Sequence, residues 1–229
     1  MSSTSAEQVV NQDALPADRT KNRFPAYGDD PQVLADIYRE DINIAIWQRT
    51  SSVPLEHAVR GFLAENPKFE TAITVSPDSV RAQVTAATGG TAPTELRDSV
   101  GELVDMFCDL FGLQRAGLRL ITLDRAMCPR FHVDRVPCRL VTTYHGVATE
   151  WLPHRAIDRS KLGPGSDGKS DHVSGLFANQ ADIQRLTCGD VALLKGELWA
   201  GNEDAGLVHR SPVLPEGENR LLLSLDFSN

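Results

Sequence analysis

Three side chains carry the chemistry this sequence offers: His132, Asp134 and, 75 residues after the aspartate, His209. Side chains on an extended strand alternate with period two, so His132-Val133-Asp134 puts an imidazole and a carboxylate on one face. His209 lies in Gly206-Leu207-Val208-His209-Arg210-Ser211-Pro212, which reads as a second strand ending at a proline. Two imidazoles and one carboxylate occupy one face of an octahedral divalent ion and leave its other positions open. Fe(II) suits that mixed nitrogen and oxygen set, and the open positions accept a bidentate keto acid and then O₂. His132, Asp134 and His209 are therefore the expected metal ligands and the expected catalytic centre. A closed structural zinc site more often has four ligands with thiolate among them. An H-x-D pair by itself is a common accident, more often a surface pair than a metal site. Its weight here comes from the segments around it.

Those segments are β-rich. Residues 118–123, 139–144, 190–194 and 220–227 are short runs of strand-forming residues between Gly, Pro and Asp clusters. Gly189-Asp190 is a turn leading into the apolar run Val191-Ala192-Leu193-Leu194. Before residue 115 the texture is helical. The pattern predicts a short helix and then a strand or second helix over 31–49, a helix over 54–66 and a strand over 69–75. The strongest helix spans 94–113, with Val100, Leu103, Val104, Phe107, Leu110 and Phe111 as one apolar stripe and Gly112 as its stop. Helices first and strands after predict an α+β chain, with N-terminal helices packed on a C-terminal β-barrel or jelly roll. Residues 1–30 lack periodicity and read as a disordered or loosely attached arm; 31–229 read as one domain, with 31–114 mainly helical support and 115–229 the β-barrel core. The Gly-rich polar stretch 158–171 has the composition of a lid.

Bulk properties narrow the function. The formal net charge of −8 argues against a nucleic-acid surface, because phosphate binding needs clustered Lys and Arg. No apolar stretch approaches the roughly 20 residues of a membrane span, and no secretory signal opens the chain, so a cytoplasmic location is expected. The four cysteines are 20, 10 and 50 residues apart and include no C-x-x-C, which favours reduced structural thiols. A small molecule or a peptide is the expected kind of substrate, and oligomeric state is not legible.

The order of motifs then points to a family. H-x-D at 132–134, R-x-x-T-x-Y at 139–144, Gly-x-x-Thr at 146–149, the Gly-Asp turn before an apolar strand, H-x-x-P-V at 209–213 and then Arg220 resemble the Fe(II)/2-oxoglutarate-dependent dioxygenases. The likeness is greatest to the prolyl-hydroxylase-like branch. Residues 42–49 and 143–151 are similar to a bacterial family of unknown function with the same barrel. The resemblance implies a double-stranded β-helix, with iron held by His132, Asp134 and His209. It implies that Arg220 pairs with the distal carboxylate of 2-oxoglutarate, as a guanidinium matches a carboxylate with two parallel hydrogen bonds. Tyr144 or Thr142 would add a hydrogen bond to that carboxylate; Arg139 would too, or would form a barrel-rim ion pair. Two departures stand out. Leu222 replaces the usual serine or threonine two residues after the arginine, with Ser224 next on the same face, and the turn at Gly146 has a single glycine.

Two other readings use the same residues. One is a non-catalytic protein that binds or senses Zn(II) or another divalent ion. The other is a cupin-like isomerase or hydrolase in which the ion is a Lewis acid and Arg220 binds substrate. Of the other histidines, His57 reads as a surface or capping residue, His145 as pointing away from the ion, and His154 and His172 as loop residues. Trp151 and Trp199 read as packing aromatics.

Overall fold

The helices form where the apolar residues recur at helical spacing. In the computed structural model, which describes residues 22–228, β1 (Phe24–Gly28), a 3-10 helix (Pro31–Tyr38) and β2 (Ile42–Trp47) come first. Helix α1 (Val53–Glu65) follows; the Ser52 hydroxyl caps it by accepting from Leu55 N, and Pro54 occupies its first turn. Leu55, Val59, Phe62 and Leu63 form its buried stripe. Next are β3 (Glu70–Val75), α2 (Val80–Ala87) and α3 (Thr94–Phe111). Helix α3 buries Leu96, Val100, Leu103, Val104 and Phe107 and stops at Gly112, whose left-handed backbone (φ 62°, ψ 34°) suits glycine. Then come β4 (Ala116–Leu123), β5 (Cys138–His145), β6 (Glu150–Leu152), the one-turn helix α4 (Asp171–Ser174), β7 (Gln184–Arg185), β8 (Val191–Lys195), β9 (Val208–Arg210) and β10 (Arg220–Phe227).

Two sheets result. The larger has seven strands in the order β1-β2-β8-β5-β10-β4-β3, antiparallel except for the β1–β2 edge; the smaller has the order β7-β6-β9. Alternation divides the large sheet by face. Leu118 and Leu120 of β4, Leu140 of β5, Leu193 of β8 and Leu221, Leu223 and Leu225 of β10 face α1, α2 and α3 in the main core. Ile44, Ile46, Val141, Ala192 and Leu194 face the other way, toward Trp151 of β6 and Leu207 before β9. The fold is thus a mixed helix and sheet architecture built on one large sheet, in line with the α+β expectation.

Three expectations are revised. The large sheet takes β1, β2 and β3 from before residue 115, because its central strands need hydrogen-bonded neighbours on both sides, so the first half is not only helical support. The arm expected over 1–30 lies outside the described residues up to 21; Phe24–Gly28 are a paired edge strand instead, with Pro25 tolerated there. Helix α2 falls in a stretch for which the sequence suggested no element.

The long α3 helix is tied to the sheet by aromatic stacking: Phe107 (1% exposed) meets Phe111 and Phe227 edge-on, with centroids 5.0 and 5.7 Å away. Phe107→Ala removes this contact and leaves a cavity; we expect a loss of about 3–5 kcal/mol in urea-induced unfolding.

Candidate metal centre

The two histidines meet because their backbones pair. His132 and His209 form an isolated antiparallel bridge in which each N–H donates to the other's carbonyl, both at 3.0 Å. Residues paired in this way project side chains on the same side. Their rings lie 4.6 Å apart, centroid to centroid, and tilted by 49°. Asp134 joins them from two residues on: its Oδ2 lies 3.4 Å from His209 Nε2 and its Oδ1 3.7 Å from His132 Nε2. Potential donor atoms of His132, Asp134 and His209 all lie within 4.8 Å of one another. The expected trio is brought together, although Asp134 sits in irregular backbone and not on a strand.

The surroundings favour ligation. His132 Nδ1 faces the Arg130 carbonyl at 2.9 Å, and His209 Nδ1 faces that of Leu207 at 3.3 Å. A carbonyl only accepts, so each Nδ1 is placed to donate to its own carbonyl, and Nε2 is the ring atom that faces Asp134 and that a metal would take. Burial, with the second imidazole beside it, lowers the His132 pKa and favours the neutral ring a metal requires. Burial works against the Asp134 charge, but His209, Arg139 and His132 outweigh it and hold the carboxyl at about 2. The donor set therefore fits a divalent ion with two neutral nitrogens and one ionised oxygen.

Glycines let the ligand segments close up. A methyl on Gly206 would strike Val133, between the two ligands. One on Gly196 would meet the carbonyls of Val136 and Asp134, the latter at 2.8 Å. Glu197 N donates to that same Asp134 carbonyl at 3.0 Å.

Arg220 lies on the same cavity, which is also lined by His132, His209, Leu222 and Ser224. Only 1% of Arg220 is exposed. Its Nε and Nη2 donate to the Thr143 hydroxyl (3.2 and 3.0 Å), Nη2 also to Thr149 (2.7 Å), and Nη1 to Ser211 (3.2 Å). Among the described residues no carboxylate pairs with it, and burial pulls its pKa down to about 10. A buried cation with only neutral partners is costly unless an anion completes the site. Gly146 (φ 86°) makes the approach possible: a side chain there would meet the Asn219 carbonyl at 2.5 Å and Arg220 Cα at 3.1 Å.

Other expected binding residues are placed differently. Tyr144 faces α3, where its hydroxyl is 3.1 Å from that of Ser99, and so does not reach the cavity. Thr142 is fully buried with no hydrogen-bond partner for its hydroxyl and likewise does not line the cavity. The reason is parity: Arg139, Val141 and Thr143 share the cavity face of β5, and Thr142 and Tyr144 the other. Thr143, Thr149 and Ser211 are the residues that the sequence reading missed, and counting β5 in twos from Arg139 would have found the first. Arg139 is at the cavity, but all three nitrogens are engaged, Nε and Nη2 by Asp226 (2.7 and 3.0 Å) and Nη1 by Asp134 (2.8 Å). It is the ion pair of the two readings, and it steadies Asp134. Ser224 lines the cavity as expected.

The remaining groups lie apart. His57 is exposed on α1, and His172 is exposed and bonded to Gln180. Trp199 packs edge-on to Tyr38 and Phe111. All four cysteines are free. Among the described residues no helix is long and apolar enough to cross a membrane.

Fold and centre thus define an α+β protein with a His-Asp-His candidate metal site beside a buried arginine. Residues 28–226 match the family described as "Protein of unknown function (DUF1826)", and the chain belongs to that family. No curated protein matches it. Similar solved structures include a dioxygenase for auxin oxidation from rice (12% identity, 90% of this chain and 82% of that one, TM-score 0.49). Another is the 2-oxoglutarate complex of the Arabidopsis thaliana dioxygenase for auxin oxidation (9%, 89% and 91%, 0.48). A third is a Pseudomonas putida prolyl-4-hydroxylase (14%, 86% and 97%, 0.41).

Two tests follow. Gly196→Ala displaces the Asp134 backbone, and calorimetric titration with a divalent ion should show affinity lower by about 10-fold or more. His154, held at about 4 by burial and then by Arg159 and Arg23, stays neutral in the fold while the unfolded chain takes up a proton near pH 6.5. Its contribution is complete above pH 6.5 and is lost as pH falls toward 4; denaturation at several pH values should show a shallower acid-side slope for His154→Gln.

Proposed function

We propose that this protein is a non-haem Fe(II)/2-oxoglutarate-dependent oxygenase of the hydroxylase type. The observation that carries the reading is the pairing of a two-imidazole, one-carboxylate donor set with a buried, carboxylate-free guanidinium on one cavity. His132, Asp134 and His209 would hold the iron, leaving coordination positions for the keto acid and O₂. When bound, iron and 2-oxoglutarate supply the oxidising power directed at a substrate C–H bond.

The chain's own residues do the rest. Arg220 anchors the distal carboxylate of the keto acid, oriented in advance by the Thr143, Thr149 and Ser211 hydroxyls and with Ser224 beside it. Met127, Val141 and Leu222 give the cavity apolar wall, which limits water around the reacting groups. Arg139 orients Asp134 and balances its charge. The two facing sheets, with the metal ligands at the end of the smaller one, support reading the architecture as a double-stranded β-helix of the prolyl-hydroxylase-like branch. An Fe(II)-independent binding role leaves the unpaired Arg220 without a purpose.

Alanine at His132 or His209 should abolish succinate formation from 2-oxoglutarate in the presence of Fe(II) and O₂; unchanged turnover in either contradicts the proposal. Arg220→Gln should weaken 2-oxoglutarate by about 30-fold or more, since one partner of a buried charge pair is gone, and leave Fe(II) affinity near wild type.

A further inference from the structure

The stretch between β6 and β7, residues 153–183, holds none of the groups assigned to the metal or the keto acid, yet it backs the metal centre. Neighbouring residues on an extended chain face opposite ways. His132 faces the cavity, and Phe131 and Val133 on either side of it enter a small apolar cluster behind. Val208, the neighbour of His209, enters the same cluster, and Leu176 and Phe177 of the 153–183 stretch close it.

Polar contacts lock this backing in place, and three of them converge on one carboxylate. Asp171, 7% exposed at the start of α4, accepts from Phe131 N through Oδ2 at 2.9 Å. The same oxygen lies 3.5 Å from Arg210 Nη1, and Oδ1 lies 3.7 Å from Arg130 Nε. Arg210 spreads over the Phe131 ring at 4.2 Å and donates to Glu150 Oε2 at 2.7 Å. Arg130 donates in addition to the Ser166 hydroxyl at 2.9 Å and to the Lys169 carbonyl. Arg159 reaches the Gly206 carbonyl at 2.6 Å. One buried carboxylate thus joins the residue before His132 to the residue after His209. The stretch whose composition suggested a lid makes these contacts with the site.

We propose that Asp171 is a positioning residue of the metal centre, fixing the spacing of the His132 and His209 segments so that their imidazoles reach a common ion. The inference rests on the metal-centre reading above and assigns no chemistry to Asp171. Burial of the carboxylate is tolerated because Arg210, Arg130 and a backbone N–H satisfy it. Outer groups of this kind set metal affinity by holding ligands in place.

The test titrates the full chain with Co(II), whose visible absorption reports ligand number and geometry, and records the melting temperature without metal. Binding by wild type that is lost in His209→Ala establishes the centre. Asp171→Ala should then bind Co(II) about 10- to 100-fold more weakly and show an altered spectrum at saturation. Asp171→Asn, which keeps an acceptor for Phe131 N, should fall between the two and retain the wild-type spectrum. A lower melting temperature in Asp171→Ala with wild-type affinity and spectrum assigns the residue a structural role only and overturns the inference. Should the alanine variant not fold, Asp171→Asn decides: weaker Co(II) binding supports the inference, and wild-type affinity overturns it. Absence of Co(II) binding in wild type, or its persistence in His209→Ala, removes the metal-centre reading and the inference with it.

Discussion

The pair of backbone hydrogen bonds between His132 and His209 is the constraint on which the site depends. It joins two segments far apart in sequence at one register, and strand geometry then turns both imidazoles to the same side. A slip of one residue would send a ring to the opposite face, into the apolar cluster behind. Everything packed around the bridge protects that register: Gly196 and Gly206 by their lack of side chains, and Phe131, Val133 and Val208 by filling the space behind it.

The second organising feature is electrostatic. A guanidinium is placed where little water reaches, and its hydrogen bonds among the described residues go to hydroxyls. In such a setting an arriving carboxylate gains more than it would at the surface, because the dielectric is low and the donors are already aimed. Arg139 plays a different part, since its nitrogens are committed to Asp226 and Asp134. Two arginines on one cavity thereby differ in their partners: Arg139 is paired with carboxylates, and Arg220 donates to hydroxyls.

Much of this was legible in the sequence, for identifiable reasons. Helix α1 announces itself through its Ser52 cap, Pro54 and apolar stripe, and α3 through its stripe and the Gly112 stop. His132 and Asp134 are legible as a pair because H-x-D is a local spacing, and His209 because it falls in a strand-like segment ending at a proline. Strand β2 alternates in a strand-like way as Ile42-Asn43-Ile44-Ala45-Ile46, but it follows directly on a helical pattern, so strand and second helix both stay open over that stretch. Strand β1, with a proline and a glycine in five residues, has no strand signature and exists through pairing with β2. Choosing Thr142 and Tyr144 over Thr143 is a parity error of one residue on β5. Asp171 was invisible, because nothing local marks a carboxylate whose partners lie some 40 residues away on either side.

Anomalous diffraction from crystals soaked without oxygen in Fe(II) and 2-oxoglutarate tests the account most directly. It predicts one iron peak bonded by His132 Nε2, an Asp134 oxygen and His209 Nε2, with a bidentate keto acid whose far carboxylate meets Arg220. Iron bound elsewhere, or a shell closed by a fourth protein ligand, would contradict it.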